Sequence, residues 1–396
     1  MPPAGVARAG QPVHIHRGRG AVSSPQPRFN QRVREAEPDG WLASPEPLSA
    51  VTRIAPETAR SLISRNQSPD VFFDQSVNPY RGCEHGCIYC YARPNHAWVG
   101  LSPGLDFETR LFAKLNAPEV LARELDAPGY RCSPIVLGTA TDAYQPAERE
   151  YQLTRQLIQV MAERRHPLAL ITKSSLVERD IDLLAPMAAE GLAAAYVTVT
   201  TLDPELARRW EPRAPAPWRR LETIRKLSRA GIPVGVMVAP LTPFLNEPEL
   251  EQVLQAAQET GARSAHYTVL RLPQELDPLF RDWLAAHYPQ RAARVLARLA
   301  DMRPQPAAGR QALNDARFHH RMRGQGPWAE LIRLRFQAAC QRLGLRRDRP
   351  LLRTDAFQPV RAPAAESRAS RPGQAPAGAL PGCAASPSAQ LALFPA

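Results

Sequence analysis

Three cysteines fall within eight positions of the segment RGCEHGCIYCYAR, residues 81–93. Cys83, Cys87 and Cys90 are spaced C-x3-C-x2-C, whereas Cys132, Cys340 and Cys383 are scattered. A short loop can curl three thiolates toward one centre, so this spacing suits three corners of a cubane [4Fe-4S] cluster. Three ligands leave the fourth iron open, and a metal centre needs an open position to bind a small molecule rather than only carry electrons. A structural zinc site is the alternative, with His85 or Cys132 as fourth ligand. Zinc sites usually pair their ligands two and two across a long gap, and no second Cys/His pair of that kind follows.

Such a loop has to be carried by a scaffold. Downstream, the apolar runs PIVLGTAT, LALITKS, AAYVTVTT, PVGVMVAP and AHYTVLRL alternate with the amphipathic stretches EREYQLTRQLIQVMAERR, ERDIDLLAPMAAE, PWRRLETIRKLSRA and EPELEQVLQAAQETG. Strands followed by crossover helices predict an α/β fold with a parallel sheet, open or closed into a barrel. Polar residues gather at the strand ends: Thr139, Thr141 and Asp142, then Thr172 and Lys173, then Thr198 and Thr200, and Arg271. Ligands of parallel α/β sheets bind at that C-terminal edge. Threonine also suits strands by propensity, so a single one says little.

CEHGCIYC, with Tyr89 ahead of the last cysteine, resembles the signature of the radical S-adenosylmethionine (radical SAM) enzymes. The alternation from about residue 76 to 273 is similar to the partial (β/α)6 TIM-like barrel of that superfamily. NPYRGCEHGCIYCYAR, GLDFETRLFAKLNAPEVL, GTATDAYQPAERE and GIPVGVMVAPLTPFLN resemble the spore photoproduct lyase-like branch, and an uncharacterised group within it, over most of residues 50–355.

The resemblance implies that Cys83, Cys87 and Cys90 ligate a [4Fe-4S] cluster whose fourth iron chelates S-adenosyl-L-methionine. A reductant such as flavodoxin or ferredoxin would then supply the electron that releases a 5′-deoxyadenosyl radical. It also implies that Tyr89 lies near the adenine and that Thr139, Thr141 and Asp142 approach the methionine amino group. Lys173 would neutralise the methionine carboxylate, and Thr198 and Thr200 would meet the ribose. One departure stands out: where the lyase has a hydrogen-donating cysteine two residues before the aspartate, this chain has Ala140. Alanine donates no hydrogen atom, so dimer repair by that route requires Cys132 or Cys340 to reach the same cavity.

The formal net charge is +12, and residues 291–371 hold 18 arginines against 6 acidic residues. The whole excess therefore lies in the C-terminal third, which fits a nucleic-acid partner, DNA in particular. The helical period of AELIRLRFQAACQRLGL offers a plainer account, a helix packed through Leu331, Leu334, Ala338 and Leu343 with a solvated arginine face. QLALF, Gln390 to Phe394, resembles the pentapeptide by which bacterial repair and replication proteins dock on the sliding clamp. No signal-peptide core or bilayer-length apolar run is present, so a cytoplasmic protein without a membrane partner is expected.

The expected organisation is a mostly disordered arm over 1–70 with a short helix near PETARSLISRN, a barrel over 71–290, a basic helical extension over 291–361 and a disordered tail over 362–396. Two functional classes follow. One is a radical SAM enzyme acting on DNA or another nucleic acid, lyase-like and with a repair role. The other is a nucleic-acid-binding protein with a structural or redox-sensing iron–sulfur cluster.

Overall fold

The computed structural model describes residues 13–29, 51–304 and 312–360. Cys383, the tail over 362–396 and Gln390–Phe394 lie outside the described residues. The strands are β1 (Arg53–Glu57), β2 (Ser64–Arg65), β3 (Gln75–Val77), β4 (Tyr80–Arg81), β5 (Arg110–Lys114), β6 (Ile135–Leu137), β7 (Leu168–Thr172), β8 (Ala193–Thr198), β9 (Val234–Leu241) and β10 (Ser264–Val269). The helices are α1 (Asp106–Thr109), α2 (Ala117–Leu125), α3 (Glu148–Tyr151), α4 (Leu153–Glu163), α5 (Ile181–Ala189), α6 (Pro204–Trp210), α7 (Pro217–Arg229), α8 (Leu250–Glu259), α9 (Leu276–His287), α10 (Pro289–Asp301) and α11 (Gly326–Leu343).

The main sheet runs in the order β10-β9-β8-β7-β6-β3-β2. Six strands, β3 and β6 to β10, pair in parallel, and β2 is antiparallel to β3. This is the expected α/β partial (β/α)6 barrel. Strand alternation divides its two faces. Ile135, Leu137, Leu168, Leu170, Val197 and Val236 join the large helix-covered core. Val136, Ala169, Ala194 and Tyr196 form a separate cluster on the other face, toward the lumen. A second, three-stranded sheet, β1-β5-β4, carries the cysteine loop that follows β4.

Several expectations differ from the structure. No helix forms near PETARSLISRN; β1 runs to Glu57, and the chain beyond stays extended into β2. Side chains answer its backbone there: Glu124 accepts from the Leu62 and Ile63 amides at 3.0 and 2.9 Å, and Asn116 bonds both backbone groups of Ala59 at 2.9 Å. With partners supplied from outside, the backbone gains nothing by coiling. Residues 13–29 and 51–70, expected in the arm, also pack on the body. Arg19 donates to the Glu108 carbonyl, and β1 pairs with β5.

The helical face of α11 is rotated from the expected one. Ala329, Ile332, Phe336, Ala339 and Cys340 are buried, while Leu331, Leu334 and Ala338 are exposed. Arg335 sets this rotation by a two-pronged pair with Glu251 of α8, at 2.8 and 2.7 Å. Beyond α11 the chain crosses the N-terminal edge of the barrel. Ala265 donates to the Arg346 carbonyl, Arg353 to the carbonyl of Gly191 just before β8, and Gln358 to the carbonyl of Arg164 just before β7, each at 2.9 Å. The barrel is thus strapped shut at one end. No helix among the described residues is long and apolar enough to cross a membrane.

Candidate cluster and cofactor site

The loop from Cys83 to Cys90 lies at the C-terminal edge of the barrel, and its shape comes from buried polar anchors. Arg93 is fully buried; its guanidinium donates to the carbonyls of Cys87 (2.9 Å), Gly86 (3.0 Å) and Gly104 (2.9 Å) and pairs with Glu108 at 2.5 Å. Gln145 holds the Glu84 amide and the Gly82 carbonyl at 3.0 and 3.2 Å. The amino-terminal segment seals the outside: the Glu108 carboxylate accepts from the Gly20 and Ala21 amides. Gly20 presses so closely on the loop that a Cβ there would collide with the Gly86 carbonyl.

Cys83, Cys87 and Cys90 are free thiols, the first two buried. Cys83 shares an apolar pocket with Ala92 and Phe107, against which Cys90 and Ala140 pack. Burial pushes the Cys83 thiol well above its ordinary value, with Asp142, Cys87 and Cys90 adding to the rise. Burial likewise carries Cys87 up to about 12. The resistance of Cys83 and Cys87 to ionisation is what a cationic metal centre reverses, because its charge stabilises the thiolates. Among the described residues no three His, Cys, Asp or Glu side chains converge as a single metal ion requires. The C-x3-C-x2-C spacing of the loop suits three corners of a cubane [4Fe-4S] cluster.

The fourth zinc ligands considered above are also engaged elsewhere. His85 places Nδ1 at 3.3 Å from Asp142 Oδ2, and Cys132 precedes β6 at the opposite edge of the sheet. Cys340 is buried within α11. Neither Cys132 nor Cys340 stands at the C-terminal edge, where Ala140 lies against the cysteine pocket.

Register brings the other predicted residues beneath the loop. Thr198 pairs with Met237, and Met237 with His266, while Thr172 pairs with Val197. One residue beyond Thr172, Lys173 therefore joins the lumen-facing row of Thr198, Met237 and His266. Its ammonium lies 5.6 Å from the centre of the Tyr89 ring. Burial pulls the Lys173 pKa down, but Cys87 and Glu211 outweigh it and the net shift is upward, so the amine stays charged. Nζ has no hydrogen bond or ion pair among the described residues. It is an unspent cation beside the cysteine loop.

The strand end at 139–142 is used differently. Asn78 donates to the Thr139 hydroxyl and accepts from the Ala140 amide, at 3.0 and 2.8 Å, and the Thr141 hydroxyl donates to the Tyr80 carbonyl at 3.4 Å. Asp142 accepts from the Thr172 hydroxyl (2.6 Å), the Lys173 amide (2.8 Å) and the Tyr144 amide (2.9 Å). Burial would raise its pKa, yet His85 and these donors hold it far below the usual carboxylate range. Asp142 thus fastens β7 to the cysteine loop through its side chain.

Two functional residues escaped the sequence. Glu211 and Arg220, both buried, form an ion pair under Tyr89. The Glu211 carboxylate also accepts from the Tyr89 hydroxyl and, at 3.1 Å, from the Thr200 hydroxyl. Arg220 donates onward to the carbonyls of Thr198 (3.2 Å) and Pro215 (2.7 Å). Burial pushes the Glu211 pKa up, but Arg220 and Lys173 outweigh it and keep the carboxylate ionised. The pair thereby holds Tyr89, Thr198 and Thr200 in one rigid assembly. In sequence both charges sit in WEPRAPAPWRR, which reads as solvated helix ends.

Residues 77–257 match the family described as Radical SAM superfamily. The uncharacterized protein Rv2578c of Mycobacterium tuberculosis is 38% identical over 224 residues, which cover 56% of this chain and 66% of that protein. The match thus spans just under two thirds of the relative's length. The uncharacterized protein MJ0683 of Methanocaldococcus jannaschii is 26% identical over 214 residues, 54% of this chain and 76% of that one. Among solved structures, spore photoproduct lyase complexed with dinucleoside spore photoproduct aligns with a TM-score of 0.53 at 13% identity, covering 74% of this chain and 80% of the lyase. At that identity the likeness is one of fold.

Proposed function

This chain belongs, through residues 77–257, to the radical SAM superfamily, and on that premise we propose that it cleaves S-adenosyl-L-methionine reductively and acts on a nucleic acid. The family's cofactors are a [4Fe-4S] cluster and S-adenosyl-L-methionine, and the cysteine loop suits the first. When bound, they supply a 5′-deoxyadenosyl radical that takes a hydrogen atom from the substrate. The chain's own residues hold and shield that chemistry. Cys83, Cys87 and Cys90 ligate three irons, Tyr89 packs against the adenine, and Lys173 neutralises the methionine carboxylate. Thr198 and Thr200, fixed by Glu211 and Arg220, face the ribose.

Thr139, Thr141 and Asp142 serve the methionine end by shaping the strand backbone, since their side chains are already bonded. The observation that carries this reading is Lys173, a partly buried cation beside the cysteine loop whose ammonium makes no hydrogen bond or ion pair among the described residues. A charge held in that state is costly unless an anion meets it in use.

Nucleic acid as substrate rests on the charge excess from Arg291 onward and on the lyase-like fold. A repair role, a reductant such as flavodoxin or ferredoxin, and docking of Gln390–Phe394 on the sliding clamp belong to the same reading. Ala140 sets the chemistry apart from the lyase's, because no cysteine of the described residues replaces that hydrogen donor. The test is anaerobic reconstitution followed by reduction with S-adenosyl-L-methionine present. The wild type should release 5′-deoxyadenosine, and Cys87→Ala should lose both the cluster absorbance and the product. A structural or redox-sensing cluster would give the absorbance with no 5′-deoxyadenosine, and that result would overturn the proposal.

A further inference from the structure

The ends of the main sheet, β2 and β10, are not hydrogen-bonded to each other, so the barrel has a lateral seam. Loops and side chains close it. Residues 313–322 lie along β10, where Val269 donates to the Met322 carbonyl at 2.8 Å and Leu272 to the Leu313 carbonyl at 3.3 Å. From there Arg321 reaches Asp70, beside the opposite end of the sheet, at 2.6 Å, and the His319 amide donates to the same carboxylate at 2.6 Å.

Three arginine–aromatic pairs follow this seam. The Arg271 guanidinium lies 5.0 Å from the Tyr91 ring centre, Arg321 lies 4.8 Å from that of Phe318, and Arg349 lies 3.2 Å from that of Phe72. All three rings are exposed: Tyr91 by 48%, Phe318 by 50% and Phe72 by 41%. Large rings left in solvent at three successive places, each backed by a guanidinium, are unusual for a surface that only seals a barrel. Charge is unbalanced as well. Arg271, Arg321, Arg323 and Arg349 border the seam, and Asp70 is the carboxylate that faces them; Asp348 lies 3.7 Å from Arg346 instead.

The seam is connected to the cysteine loop at its upper end. Tyr91 directly follows Cys90 and bonds the Thr139 carbonyl, next to Ala140. Further down, the Arg349 guanidinium touches Met237 Sδ at 3.9 Å, in the same lumen row as Thr198 and Lys173. Its Nη1 and the neighbouring His266 Nε2 are buried without a partner. On the outer side a cavity of about 480 Å³, lined by His319, Arg323, Gln325 and Arg333 among others, continues the path; its one acid, Glu330, already pairs with Arg333.

We infer that this seam receives single-stranded nucleic acid, with phosphates on Arg271, Arg321, Arg323 and Arg349 and bases stacked on Tyr91, Phe318 and Phe72. The inference rests on the nucleic-acid reading above and gives it a place. Alternating cations and aromatic faces are the arrangement that holds unpaired bases and their backbone together. A duplex keeps its base faces stacked on one another and offers none to these rings, so a single strand or an extruded nucleotide is the fitting ligand.

The test measures anisotropy of a short, labelled, mixed-sequence single-stranded DNA with the reconstituted full chain across a salt series. Phe318→Ala should weaken binding roughly tenfold, the loss of one stacked base. Arg323→Gln should lower the slope of log affinity against log salt by about 0.7, one phosphate contact on a single strand. Trp218→Ala, on α7 and 69% exposed, should bind as the wild type does. Both seam variants are exposed side chains, so each keeps the test informative if the other misfolds. Wild-type affinity and slope in both, no binding by the wild type, or equal displacement by poly-glutamate would overturn the inference. The 5′-deoxyadenosine assay is independent: its failure in the wild type sinks the radical reading while the anisotropy result stands.

Discussion

At the C-terminal edge of the barrel, Lys173, Glu211, Arg220 and Asp142 are charges gathered under the cysteine loop. At the N-terminal edge, the strap instead sets Phe357 between Tyr130 and His166, with ring centres 5.6 and 5.2 Å away, and ties its amides to carbonyls of the barrel. His166 places Nδ1 at 3.0 Å from the Pro167 carbonyl and Nε2 at 2.8 Å from the Tyr130 hydroxyl. Around Phe357 the polar groups of His166 and Tyr130 are answered within the chain, while the other edge leaves the Lys173 ammonium without an ion pair beside the cysteine thiols. Burial stabilises the first arrangement outright. The second is stable only because anchors such as Arg93 hold it in shape, and what it leaves unpaired is what a ligand can use.

Removing an anchor should break the contrast most severely. Arg93→Met removes the counter-charge of the buried Glu108 carboxylate, which keeps only the Gly20 and Ala21 amides among the described residues, and the donor to the carbonyls of Gly86, Cys87 and Gly104. Losing one partner of a buried pair costs about 3–5 kcal/mol. Urea unfolding should register that loss, and iron content after reconstitution should fall with it. A variant that kept wild-type stability and a full cluster would mean that the loop holds itself.

The opposite substitution sharpens the comparison. Lys173→Met removes the unpaired ammonium while keeping the volume, so S-adenosyl-L-methionine affinity should fall by roughly ten- to a hundredfold, the loss of one charge-assisted contact. Thermal stability should hold or rise slightly, since no ion pair is broken. A drop in stability with unchanged affinity would make Lys173 a structural residue. At the other edge, Phe357→Ala should cost about 2 kcal/mol for a partly buried ring and leave cofactor affinity unaltered.

How much of this was legible follows from the same contrast. The five long strand runs carry alternating or continuous apolar patterns and were placed by them; QSV of β3, at three residues, is too short to show a period. The cysteine spacing marked the loop as a candidate site, and the run LALITKS put Lys173 at a strand end, where the structure has it directly after β7. The ion pair of Glu211 and Arg220 was not legible, because nothing in a charged turn tells which residues the tertiary fold will bury. α11 has apolar residues around much of its circumference, so the period allowed two faces, and Arg335 on Glu251 decided between them. Much of the basic C-terminal charge is likewise paired within the chain, as Arg317 with Asp315 and Arg353 with Asp355 show.

The smallest effect distinguishes the two edges by pH. His96, whose Nε2 sits 3.0 Å from the Arg110 carbonyl beside the cysteine loop, and His166, under the strap, are both lowered by burial to about 4. An unfolded histidine titrates near 6.5, so between those values the unfolded chain binds more protons. The stabilisation is therefore complete above about pH 6.5 and is lost as pH falls toward 4. Each histidine should account for about 1 kcal/mol of loss at pH 6 and about 2 kcal/mol at pH 5. In His166→Gln the decline of urea stability from pH 8 to 5 should be shallower by that amount, with the acid loss of cluster absorbance unchanged. In His96→Gln both should shift, because that ring packs edge-on against Phe107, a wall of the Cys83 pocket. Equal shifts of absorbance in the two variants would mean that the edges unfold as one unit, and the separation of stability from chemistry drawn above would not hold.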